Sequence, residues 1–121
     1  MRDDVIRAVE SYLNGLGAKD LSGAPFHPDL VFEGPLGPPI LGAAAVREFL
    51  TGLFPVLNGI EIVRHIVDGE WCATVFRLDT AFGVIPIMDC FHVIDGQIAS
   101  IRPYYDPRPV IEGMSRAGVG S

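Results

Sequence analysis

Cysteine is scarce in this 121-residue chain: Cys72 and Cys90 are the only two. Two thiols are too few for a disulfide framework and read as free, buried groups. Basic residues are also few. Nine Lys and Arg stand against fifteen Asp and Glu, for a net charge of −6 and a pI of about 4.8. Without a basic cluster there is no positive surface for phosphates, so nucleic acid is excluded as a partner. No apolar run reaches the length of a membrane span. The opening MRDDVIRAVE is charged and helical rather than a secretory signal. The expectation is a cytoplasmic protein without a membrane partner. His27, His65 and His92 show no metal-ligand spacing, and neither metal nor cofactor is expected.

Apolar residues, by contrast, are plentiful: 49% of the chain is hydrophobic and the mean hydropathy is +0.34. That excess in a small chain implies a greasy pocket, a subunit interface, or both. The length suits one domain, expected over 1–117, with 118–121 as a frayed tail.

The stretch Val75 to Asp106 organises the rest. It reads as consecutive β-strands, with a loop near Gly83 and a tight turn at Asp95-Gly96, where Asp-Gly supplies the positive φ a hairpin needs. Side chains alternate along a strand. Trp71, Ala73, Val75, Arg77 and Asp79 therefore share one face of the first strand, and Ile85, Ile87, Asp89, Phe91 and Val93 one face of the second. A hairpin centred on Val84 would set Asp79 opposite Asp89 and Arg77 opposite Phe91. Two carboxylates and a guanidinium would then lie on one apolar surface, where an unpaired charge is costly.

Upstream, Asp4 to Leu16 has the apolar spacing of a helix, with Tyr12 on its buried stripe. Leu30 to Glu33 reads as a short strand, and GPLGPPILG after it as a rigid loop. Ala43 to Phe54 is a second helix. Ile60 to Val67 opens a four-stranded meander through Tyr105, and Val110 to Ala117 is a short final helix. The order of elements implies an α+β fold, with helices over one face of a curved antiparallel sheet. The opposite face is expected to carry Cys72, Phe76, Leu78, Met88, Cys90 and His92 and to be covered by a second copy, as a homodimer.

This order resembles the nuclear transport factor 2-like superfamily, whose cone-shaped α+β fold is shared by SnoaL-like, limonene epoxide hydrolase and ketosteroid isomerase families. GPPILGAAAVREFLTGLFPVLNGIEI, FRLD and IRPYYD are similar to the epoxide hydrolase. That resemblance implies Arg77 and Asp79 as catalytic. The hydrolase's second aspartate falls on Pro103, and its water-holding pair on Phe32 and Gly34. Asp89 would have to supply the missing carboxylate. SYLNGLGAKDL and PIMDCF are similar to the isomerase, which implies Tyr12 and a protonated Asp89 as its oxyanion-binding pair. The isomerase's base falls on Gly34, beside Glu33.

The expected function is acid/base catalysis on a small hydrophobic epoxide or carbonyl compound, with Asp79, Arg77, Asp89 and Tyr12 as catalytic residues. The hydrolase form leads, with an isomerase or cyclase form as the alternative and a non-catalytic binder of apolar ligands as a third. Phe32, Glu33, Phe54, Trp71, Val75, Phe91, Ile101 and Pro103 are the expected pocket walls.

Overall fold

The computed structural model describes residues 2–116, so the tail expected at 118–121 lies outside them. The chain opens with helix α1 (Arg2–Gly17), whose Val5, Ala8, Val9, Tyr12, Leu13 and Leu16 are buried. This is the stripe that the three-and-four spacing demands, and Asp3 and Asp4 complement the helix dipole in its first turn. Strands β1 (Phe26–Phe32) and β2 (Ile40–Leu41) precede helix α2 (Ala43–Thr51) and a short 3₁₀ turn, Phe54–Val56. Four long strands follow: β3 (Leu57–Asp68), β4 (Trp71–Thr80), β5 (Gly83–Ile94) and β6 (Gln97–Tyr104). Helix α3 (Arg108–Arg116) comes last. None of these helices is long and apolar enough to cross a membrane.

The sheet has six strands, in the order β2-β1-β6-β5-β4-β3: the expected meander of four, the expected strand before it, and the two-residue β2. The meander β3 to β6 is antiparallel, as its hairpin turns require. β1, expected from Leu30, starts at Phe26 despite Pro28 and joins the meander parallel to β6. α1 lies across β3 to β6, and α2 packs on β1. The fold is thus α+β, a curved and unclosed sheet with its helices on one side.

The β4–β5 hairpin differs from the expectation in a way that decides the site. Its turn is Ala81-Phe82, not Val84, because Thr80 pairs with Gly83. The Thr80 hydroxyl closes this turn, donating to the Gly83 carbonyl at 2.8 Å and accepting from the Phe82 N–H at 3.0 Å. Gly83 supplies the positive φ, 114°. The centre moves by a half-integral step, so odd residues of β4 face even residues of β5. Asp79 pairs with Val84, Arg77 with Pro86, and Asp89 with Thr74. A slip of this parity turns a whole strand over. Cys72, Phe76 and Leu78, expected on the outer face, therefore point inward, and the first two are 1% and 2% exposed. Met88, Cys90 and His92 do face outward, joined there by Trp71, Val84 and Tyr104.

Candidate active site

Between the helices and the sheet lies a cavity of about 530 Å³. Its floor consists of buried residues, including Tyr12, Leu50, Leu57, Phe76, Ile85, Ile87 and Asp89. Its mouth is marked by lining residues that remain exposed: Leu36, Gly37, Pro38, Pro39 and Gly52. Nearly all of this wall is hydrocarbon. Among the described residues, the lining side chains with N–H, O–H or carboxylate groups are Tyr12, Thr80, Asp89 and Tyr105, and the Thr80 hydroxyl is already engaged in its turn.

Asp89 points inward because its strand leaves no alternative. Ile85, Ile87, Phe91 and Val93 share its parity and are all buried, so turning Asp89 to water would expose four apolar side chains. Asp89 is 3% exposed. Burial alone pushes its carboxyl up to about 7, with no cation or hydrogen bond opposing it. Tyr12 approaches from α1 and is 2% exposed. Its ring packs on Phe26 at 5.6 Å and edge-on to Phe91 at 5.9 Å. Burial first, and the nearby Asp89 second, raise the Tyr12 phenol well above its ordinary value.

Tyr105 is the member that sequence reasoning missed. Asp89 pairs with Pro103, so Tyr105, two residues on, takes the diagonal position on the same face, within reach of a long side chain. Burial and the Asp89 charge also raise its phenol. The signal was present in the alternation of Ile101, Pro103 and Tyr105.

The other expected site residues divide cleanly. Phe32 and Pro103 line the cavity. Phe91 and Ile101 are wholly buried in the core and reach it only through their neighbours. Phe54 packs against that core, while Leu53 and Val56 on either side line the cavity. Trp71 and Val75 lie on the outer face, where Trp71 stacks on His92 at 4.2 Å. Glu33 forms an ion pair with Arg102 at 2.7 Å, away from the cavity. Arg77 and Asp79, expected beside Asp89, are on the solvent side of β4. Arg77 is paired there with Glu61, and Asp79 meets Asn58 at 3.5 Å. Arg77, Asp79 and Asp89 thus do not converge. The face that carries Arg77 and Asp79 is the one where water screens their charge.

A second polar cluster sits outside the cavity. His65 bridges the Glu10 carboxylate and the Thr74 hydroxyl, each at 2.8 Å. Cys72 Sγ lies 3.4 Å from the same hydroxyl. The chain of contacts fastens α1 to β3 and β4 and satisfies the fully buried Thr74. His27 lies on β1 and accepts the Asp29 N–H at 3.0 Å.

A model of the SnoaL-like domain family matches residues 9–101. No curated protein matches the chain. Among solved structures, a protein from Kribbella flavida superposes with a TM-score of 0.83 at 21% identity, covering 93% of this chain and 94% of that one. An NTF2-like protein from Cytophaga hutchinsonii gives 0.77 at 18% identity, covering 88% and 94%. A steroid delta-isomerase from Pseudomonas aeruginosa gives 0.75 at 23% identity, covering 94% and 90%. At these identities the likeness is one of fold.

Proposed function

The chain belongs to the SnoaL-like domain family, and within it we propose that the cavity binds a small, largely hydrocarbon carbonyl compound and moves a proton on it, as an isomerase or cyclase does. One observation carries this reading: a lone carboxyl with a midpoint of about 7 stands beside a buried phenol in an apolar cavity. A carboxyl poised near neutrality serves as both base and acid. Asp89 in its ionised form removes a proton from the carbon next to the carbonyl. The electron pair moves to the oxygen, where the Tyr12 hydroxyl donates a hydrogen bond to the growing negative charge. Protonated Asp89 then returns the proton to a different carbon, so nothing is consumed and a double bond has moved. The base position implied by the isomerase resemblance cannot assist. It is Gly34, where a Cβ would sit 3.4 Å from the Pro103 ring. That leaves the proton transfer to Asp89. The hydrolase form, with Arg77 and Asp79 on the far face, has no second acid among the described residues that line the cavity.

The test is isomerisation of a β,γ-unsaturated cyclic ketone, followed by the ultraviolet absorbance of the conjugated product. Turnover is expected to rise with pH through about 7, since the ionised carboxyl is the reactive form. Asp89→Asn should lower it by about 10²–10⁴-fold, while Arg77→Ala and Asp79→Asn leave it unchanged. Ligand-induced thermal stabilisation without any turnover of such ketones would reduce the site to a binder.

The outer sheet face is the proposed seat of a second copy. Ile66, Trp71, Val84, Met88 and Tyr104 are each between 38% and 58% exposed there, and a homodimer through this face would cover them. Sedimentation should give twice the chain mass. Trp71→Asp, which places a charge in that contact, should give the single mass, and a monomeric wild type contradicts the assignment.

A further inference from the structure

Helix α3 closes the mouth of the cavity on one side, with Val110 and Met114, one helical turn apart, facing into it. The helix has a local cap and two seats on the body, one of them Val110 against the core. Asp106 caps its start, accepting the Arg108 N–H at 3.0 Å and pairing with the Arg108 guanidinium at 2.7 Å. Further along, Gly113 is its one buried residue. It sits on Phe82, the residue at the β4–β5 turn that also lines the cavity. A Cβ at Gly113 would lie 2.3 Å from Phe82 Cδ1, 2.6 Å from its Cγ and 3.0 Å from its Cβ. These atoms lie at the root of the side chain, and the Phe82 backbone is fixed by its bond to Thr80. Phe82 therefore cannot retreat cheaply. A nine-residue helix is too short to persist in water on its own propensity, so its place depends on this seat together with Val110 against the core.

We propose that α3 is the wall that sets how long an apolar tail the cavity admits, and that Gly113, by seating on Phe82, is the residue that determines this length. The floor recognises the oxygen of a ligand, and α3 with the 34–39 loop bounds the other end. A tail longer than the closed space must lift α3 off Phe82, at the cost of that contact and of the helix's order. The inference rests on the cavity being a ligand site but not on the chemistry assigned to Asp89.

The experiment uses two fluorescent naphthyl ketone dyes that differ only in acyl chain, a propionyl and a lauroyl form. The wild type should bind the propionyl dye and discriminate against the lauroyl dye. Gly113→Ala should release the propionyl dye about tenfold faster and lose the discrimination. Phe82→Ala removes the obstacle itself and should behave alike. Adding Gly113→Ala to it should change nothing further, the non-additivity expected of two residues in contact. Hydrogen exchange gives a readout without ligand: amides of 108–116 should lose protection in Gly113→Ala while those of β3 to β6 keep theirs. The proposal is overturned if Gly113→Ala leaves release, discrimination and protection of α3 at wild-type values, or if the wild type takes up both dyes equally. Absent ketone turnover with discrimination intact overturns only the Asp89 chemistry.

Discussion

Asp89→Asn is expected to be more stable than the wild type above neutrality and equal to it in acid. The folded protein holds the Asp89 carboxyl at about 7, against 3.8 in the unfolded chain. Between these values the folded state binds a proton that the unfolded state has lost, so stability falls as pH rises. The decline begins near 3.8, accumulates up to about 7, and levels off once both states are ionised. The gap corresponds to about 4 kcal/mol, the penalty for a charge in hydrocarbon with no partner. Asparagine has nearly the same shape and never ionises, so it escapes this penalty. Melting curves of both proteins across that pH range should converge at the acid end and diverge steadily toward neutrality. Parallel curves would show that Asp89 is solvated or paired. A group that destabilises its own fold at working pH is hard to explain as scaffold and is typical of groups kept for chemistry. The variant that gains stability should be the one that loses turnover.

Phe91→Ala should have the largest destabilising effect, although Phe91 lies behind the cavity wall rather than in it. Its ring is fully buried and meets Tyr12 edge-on at 5.9 Å. Removing it leaves a void behind the cavity floor and should cost about 3–5 kcal/mol, read as a lower urea midpoint at unchanged slope. Tyr12 then loses one of the two rings that orient it, and ketone turnover should fall with it. Phe91→Leu refills most of the volume and should recover most of the stability. A Phe91→Ala protein of wild-type stability would mean that the floor collapses onto the gap, and Tyr12 would not need that support.

Much of this protein was legible in the chain itself. The stripe of α1 and the run of four strands followed from periodicity, because burial enforces it residue by residue, and the turn at Asp95-Gly96 followed from the positive φ that this pair supplies. So did the inward direction of Asp89, since four apolar neighbours of equal parity outvote one carboxyl. The direction of β4 did not follow. Its odd residues Trp71, Ala73 and Val75 are as apolar as its even ones, and either face satisfies hydrophobicity over the first half. Only Arg77 and Asp79 break the tie, and both point to water. They read as catalytic because FRLD resembles the hydrolase motif and because a turn at Val84 placed them beside Asp89.

What the tertiary structure decided is the parity of that hairpin, and with it whether two acids or one stand in the cavity. A turn shifted by a half-integral step costs little locally, since Thr80 and Gly83 close it as readily as another pair would. It is settled by whichever strand face then meets α1. Tyr105 and the seat of α3 on Phe82 were hidden for a related reason. They depend on diagonal and end-on contacts between elements far apart in sequence, which periodicity along one strand or helix does not encode. Sequence alone determined the scaffold and the buried carboxyl. The company that carboxyl keeps was determined by packing.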